Sequence, residues 1–311
     1  MLMGFSRPQA IGLLLMVAAI VIAPMVAYPV FLMKVLCFAL FACAFNLLIG
    51  YVGLLSFGHA AYFGMGCYVS AYAAKSWGLS AELCILCGGI VGAVLGLVFG
   101  LIAIRRQGIY FSMITLALAQ MAYFFCTQAA FTGGEDGIQQ VPRPHLLGLI
   151  SLQSDMAIYW VVAGVFLLGF FLVHRIVHSP FGQVLKAIRE NEPRAISLGY
   201  RTDDYKLIAF VLSTAIAGAA GGTKALVFGI ATLSDVTWQA SGEVVLTNLL
   251  GGMGTIFGPV IGAAISNTLE FYLSPFGSWV TVTQGVIFVA CVMLFRRGVV
   301  GEIANRLKVA L

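Results

Sequence analysis

Residues 178–206 read HSPFGQVLKAIRENEPRAISLGYRTDDYK, the longest polar run in a chain that is otherwise mostly lipid-soluble. Ser179 suits a helix N-cap and Pro180 the first turn. Phe181, Leu185 and Ile188 then share one face at helical spacing, with Gln183, Lys186, Arg189 and Glu190 on the others. Pro193 opens a second short helix after Asn191-Glu192, and Gly199 ends it. The pattern predicts a compact, amphipathic two-helix element outside the membrane. Its apolar stripe has nothing of its own to cover it, which points to a partner protein or to the lipid surface.

The rest of the chain is the opposite in character. Of its 311 residues, 61% are hydrophobic and 9% charged, whereas soluble domains carry roughly 25% charged residues. A water-soluble globular fold is excluded. Apolar runs of about 20 residues recur along the chain, each long enough to cross ~30 Å of hydrocarbon. They fall at 9–28, 31–50, 59–76, 82–104, 108–130, 155–177, 206–230, 255–273 and 279–296. The first run resembles a signal peptide, but a second begins at Val30, so it reads as an uncleaved span. We expect one transmembrane domain over 1–311, an all-α polytopic integral membrane bundle, with 178–206 as a cytoplasmic loop within it.

Orientation follows from the basic residues. Arg7, Arg105, Arg106, the 175–206 segment, Arg296, Arg297, Arg306 and Lys308 gather on one side. Lys34, Lys75, Arg143 and Lys224 fall on or toward the other. The richer side is cytoplasmic, with both termini, so the number of crossings is even. The net charge of +5 therefore reports orientation, and no nucleic-acid partner is expected. One more crossing is needed, and 238–251, WQASGEVVLTNLLG, is the candidate. It reaches only about 20 Å, so it is a short or broken helix lined by protein. That makes about ten transmembrane segments, some of them short or broken.

The short segment has a counterpart. Asn46-Leu47-Leu48-Ile49-Gly50 is followed by Gly53 and Phe57-Gly58, and Asn248-Leu249-Leu250-Gly251-Gly252 by Gly254 and Phe257-Gly258. Both copies run inward, break and return, as parallel repeats. Paired glycine-rich interruptions point to a transport pathway. Asn46, Ser56, His59 and Asn248 at the breaks are candidate lining residues, with Gln120 in mid-span. The acids lie mostly in loops or near span ends. Glu243, on the short segment, is the one serious candidate acid for the pathway. Lys224 either pairs with Glu243 or Asp235, or snorkels to the interface.

Gly88, Gly92, Gly96 and Gly100 form a four-residue ladder, as do Ser213, Ala217 and Gly221, and Gly258, Gly262 and Ser266. Small residues at this spacing let helices approach closely in lipid. Seven cysteines are scattered, and Cys84-x-x-Cys87 reads as buried small hydrophobes rather than a redox or zinc pair. Glu135-Asp136 lies between glycines in the loop 131–154 but lacks the ligand spacing of a calcium loop. Gly218–Lys224 lacks a contiguous G-K-[S/T], so no phosphate loop is present. No catalytic triad, metal cluster or carboxylate pair assembles, and neither an enzyme active site nor a cofactor is expected.

Gly182, Ala187, Ile188, Arg189, Glu190, Asn191, Ala195, Gly199, Tyr205 and Lys206 together resemble the cytoplasmic coupling loop of ABC importer permeases of the branched-chain amino acid, LivM type. The runs Gln107–Leu116, Thr132–Gly137, Gly251–Thr255 and Gly258–Ala263 extend the resemblance over roughly 40–300. Ser234–Trp238 and Thr247-Asn248 depart from the family pattern, near the expected pathway. The resemblance implies a subunit of the bacterial inner membrane that pairs with a second permease, two ATP-binding subunits and an extracytoplasmic solute-binding protein. It implies that Phe181, Gly182, Leu185, Ala187, Ile188, Arg189, Glu190, Asn191, Ala195 and Gly199 form the ATPase-coupling foot. The implied cargo is a small amphipathic solute such as an apolar amino acid. A stand-alone carrier or channel is the rival expectation.

Overall fold

A computed structural model describes residues 7–146, 152–295 and 298–307. Arg296, Arg297 and Lys308, which entered the orientation reading, lie outside the described residues. The described residues are predominantly helical: α1 (Arg7–Val26), α2 (Pro29–Asn46) with a π-helical turn (Leu47–Val52), α3 (His59–Ser76), α4 (Ala81–Ala103) and α5 (Ile109–Gln128). There follow α6 (Asp155–Val177), α7 (Pro180–Glu190), α8 (Glu192–Ser197), α9 (Thr202–Phe228), α10 (Trp238–Gly251), α11 (Gly258–Leu273), α12 (Val280–Leu294) and α13 (Gly298–Leu307). Among the described residues the one β-type pairing is a bridge between Ile138 and Ala231.

Six helical segments among the described residues are long and apolar enough to cross a membrane: Gln9–Val26, Pro29–Val52, Ala81–Ala103, Ile109–Gln128, Asp155–Val177 and Thr202–Phe228. The expected short segment forms as α10, 14 residues long, and spans only ~21 Å.

The interior is organised around α9, against which α2, α3 and α4 pack. Around Gly88, Gly92 and Gly218 the α4–α9 contact is bare backbone. A methyl group on Gly92 would lie 2.3 Å from the Thr214 carbonyl, and one on Gly218 2.3 Å from the Gly88 carbonyl. On the α3 side, a methyl on Gly221 would lie 1.9 Å from the Phe63 carbonyl. The Gly and Ser-Ala-Gly ladders thus serve close helix approach, the role their spacing predicts. Cys84 is buried and Cys87 half-buried, and both are free thiols.

The 178–206 segment folds as read, in two short helices with the predicted punctuation. The Ser179 hydroxyl accepts from Gly182 N at 3.3 Å, and the Asn191 side chain accepts from Arg194 N at 3.1 Å. Gly199 ends α8 at φ +89°. The expectation of an uncovered apolar stripe needs correction. Gly182, Leu185 and Ile188 are buried, because α7 lies against α6, the π turn and α9. A methyl on Gly182 would meet the Val177 carbonyl at 2.3 Å.

Candidate functional site

Three features line up along α2. At one end is the α7–α8 foot, next is a knot where the two chain breaks meet, and toward the other end lies a charged cavity.

The knot is built from the repeated motif. After Asn46, α2 widens into the π turn and stops at Gly53, whose φ of +83° needs a glycine. After Asn248, α10 stops at Gly252 (φ +115°) and Gly254 (φ +75°). Each break then restarts a helix behind a Phe-Gly pair, with a hydroxyl capping the glycine amide. Ser56 Oγ accepts from Gly58 N at 3.2 Å, and Thr255 Oγ1 accepts from Gly258 N at 3.1 Å. The Asn46 side chain joins the two breaks. Its Nδ2 donates to the Thr255 carbonyl at 2.9 Å, and its Oδ1 accepts from Gly254 N at 3.0 Å. Gly50 is pressed into the same place, since a methyl there would lie 2.3 Å from Asn46 Oδ1 and 2.7 Å from Gly254 N.

The foot reaches this knot directly. Arg189 donates through Nη1 to the Gly50 carbonyl, in the last turn of a helix, where carbonyls lack intrahelical donors. The same guanidinium nitrogen lies 3.1 Å from where a methyl on Gly254 would stand. Lys186 Nζ sits 5.8 Å from the centre of the Tyr51 ring. The Lys206 ammonium donates to Glu192 in a nearly enclosed ion pair between α9 and α8, and Phe181 stacks on Tyr205 with centroids 5.6 Å apart. The foot is therefore fastened to the bundle at both of its helices.

Of the residues expected in the foot, Gly182, Leu185, Ile188 and Ala195 face inward and Phe181 is half-buried. Ala187, Glu190, Asn191 and Gly199 are exposed, as is most of Arg189, although its guanidinium reaches Gly50. The sequence reading did not single out Ile196, Leu198 and Tyr200, whose exposures of 55%, 68% and 40% place a small apolar tip on the outer side of α8. Their signal was present in the quoted stretch, where apolar residues continue past Ala195 with no helical face left to bury them.

The cavity, about 290 Å³, lies toward the opposite end of α2. Five charged side chains line it: Lys34, Lys224, Asp235, Glu243 and Glu270. Lys34 pairs with Glu270 at 2.8 Å, and Lys224 pairs with Asp235. Phe38, Phe41 and Phe63 supply apolar wall.

Glu243 is thus the one expected pathway residue that lines this cavity. His59 is fully enclosed among Phe45, Tyr62 and Phe210. Its Nε2 lies 2.8 Å from Ser213 Oγ. Ser213 itself donates to the Ala44 carbonyl at 2.5 Å, so Nε2 carries the proton. Asn248 is buried and its Nδ2 donates to the Val244 carbonyl of its own helix at 2.9 Å. Ser56 and Asn46 sit in the knot, and Gln120 is half-buried on α5. The Lys34–Glu270 pair joins residues 236 positions apart, and neither residue stood out in the sequence as its partner.

Comparison with known proteins gives a consistent picture. The family model described as branched-chain amino acid transport system / permease component matches residues 29–295. The high-affinity branched-chain amino acid transport system permease protein LivM of Salmonella typhimurium is 27% identical over 286 residues, covering 85% of this chain and 67% of that protein. LivH of the same system and organism is 23% identical over 287 residues, covering 85% and 91%. The autoinducer 2 import system permease protein LsrC of Klebsiella pneumoniae is 25% identical over 218 residues, covering 66% and 60%. No solved structure matches the chain significantly.

Proposed function

Because the chain belongs to the branched-chain amino acid transport permease family, we propose that it is the membrane subunit of an ABC importer, driven by ATPase subunits through the α7–α8 foot. It is a multi-pass inner-membrane transport protein. The importer holds a second, related permease, two ATP-binding subunits and an extracytoplasmic solute-binding protein. The foot and both termini are cytoplasmic, and α3, α10, α11 and α12 complete the ten crossings. The cargo is a small amphipathic solute, in first place a branched-chain or other apolar amino acid.

The observation that carries this reading is the contact of Arg189 with the Gly50 carbonyl. It supports a continuous mechanical route. The exposed tip of Ile196, Leu198 and Tyr200, together with the exposed Glu190 and Asn191, seats in a groove of the ATPase. Closure of the ATPase pair on nucleotide displaces the foot. The buried stripe of α7 keeps the foot from sliding over the bundle, so its motion reaches Gly50 through Arg189. Asn46 passes the motion to Gly254 and Thr255, and both breaks shift together. A two-state change at this knot switches access to the cavity from one side to the other.

Three variants separate docking from transmission. Leu198→Asp or Glu190→Arg, both on the exposed face, are expected to abolish co-purification of the ATPase and uptake while the bundle stays folded. Arg189→Ala is expected to keep the ATPase bound but to lower uptake and solute-stimulated ATP hydrolysis. Undiminished ATPase binding in both docking variants overturns the assignment. So does ion-driven uptake by vesicles holding this polypeptide alone.

A further inference from the structure

We propose that the 290 Å³ cavity is a solute-recognition site that selects a primary ammonium group on an apolar body, with Glu243 as the ammonium's counter-ion. This inference rests on the reading of the chain as a solute permease.

Three carboxylates (Asp235, Glu243, Glu270) and two ammonium groups (Lys34, Lys224) line the space. Lys34 is taken by Glu270 and Lys224 by Asp235. Glu243, half-buried on the short helix α10, has neither a hydrogen bond nor an ion pair to any described residue. The cavity therefore carries one uncompensated carboxylate. A half-buried carboxylate is costly without a charged or hydrogen-bonding partner, and a cation in the cavity supplies one.

The wall decides which cation. Among the described residues no three His, Cys, Asp or Glu side chains converge as a metal site. Phe38, Phe41 and Phe63 face the same space, and this combination suits an organic cation with an apolar tail. The volume, near the lower end of the ~300–1,000 Å³ range of small-molecule sites, fits a solute of amino-acid size.

The two ion pairs differ in a way that gives a second contact. The Lys224 and Asp235 side chains are 23% and 10% exposed, whereas those of Lys34 and Glu270 are 42% and 40% exposed. The inner pair is held in place, with Thr232 Oγ1 donating to Asp235 at 3.2 Å. The outer pair is half open, and its lysine, which gives one N–H to Glu270, has further N–H donors to offer a carboxylate on the solute. A zwitterion thus meets Glu243 with its ammonium and Lys34 with its carboxylate. Urea and simple amides offer Glu243 neutral N–H donors but no positive charge to balance its own.

The test uses the complete importer in nanodiscs, with leucine, 3-methylbutylamine (no carboxylate) and 4-methylpentanoate (no ammonium) as probes. Leucine and the amine are expected to raise the melting temperature of the complex, and 4-methylpentanoate is not. Glu243→Gln is expected to abolish both shifts and to raise the KM for leucine uptake about tenfold or more, the scale of a lost charge-assisted contact. Glu243→Asp restores part of the shift, which a merely structural role does not predict. Lys34→Met is expected to weaken leucine but to spare the amine. An unchanged KM in Glu243→Gln, in a complex that still couples ATP hydrolysis to uptake, overturns this inference and leaves the importer reading standing. A shift with 4-methylpentanoate equal to that with the amine overturns it as well. Uptake by the wild-type chain without ATPase subunits sinks the importer reading, and the melting measurements still report on the cavity.

Discussion

The two breaks at 46–58 and 248–258 share a motif, and their backbones behave alike. Each stops at a left-handed glycine, caps a glycine amide with a hydroxyl and restarts behind Phe-Gly. Their asparagines behave differently. Asn46 leaves its own helix and supplies both an acceptor and a donor to the other break. Asn248 folds back onto its own helix and keeps a buried Oδ1 with no partner among the described residues. Backbone geometry repeats because glycine and hydroxyl positions dictate it locally. Side-chain partnership does not repeat, because Asn46 faces the other break whereas Asn248 faces a carbonyl of its own helix.

Substitutions can sharpen or break that contrast. The largest effect is expected at the glycines where chains cross. A methyl on Gly251 would lie 1.9 Å from the backbone oxygen of Gly258, which cannot yield, so Gly251→Ala is expected to cost ~3 kcal/mol or more. Gly50→Ala meets the Asn46 side chain, which rotates only by giving up its bonds to the other break, and the Gly254 amide at 2.7 Å, a milder backbone approach than at Gly251, and is expected to cost less. Unfolding of the purified chain by SDS titration in mixed micelles measures the difference. Equal losses would mean that the first break is as rigid as the second.

Next in size is the pair Asn46→Leu and Asn248→Leu. The first strands Gly254 N and the Thr255 carbonyl in a half-buried place, at about 2–3 kcal/mol. The second removes a self-contained amide with an unpaired oxygen, and apolar replacement there is expected to lie within about 1 kcal/mol of neutral. The same titration decides, and a reversed order would refute the knot. The smallest effect is at the caps: Ser56→Ala and Thr255→Val each remove one hydroxyl acceptor, at about 1 kcal/mol apiece. Hydrogen exchange at Gly58 and Gly258 is expected to quicken in the matching variant only.

Much of this was legible in order of residues. Composition and run length point to a membrane bundle, and the 14-residue helix at 238–251 follows from a parity condition on charge. Ser179, Pro180, Asn191 and Gly199 mark the foot because caps act within a turn or two. Contacts between distant segments were not legible. Helical spacing shows that Leu185 and Ile188 share a face, but not that the π turn and α6 cover it. Lys34 and Glu270 meet only because α2 and α11 lie side by side. Enclosure of His59 depends on rings contributed by α2 and α9, which nothing near position 59 announces.

The seam between α4 and α9 carries a last consequence. Where Gly88, Gly92 and Gly218 meet main chain to main chain, the contact offers no rotamers to exchange and no apolar teeth to re-engage one notch along. These two helices are expected to travel as a single strut, with any rearrangement taken up where that strut joins the rest.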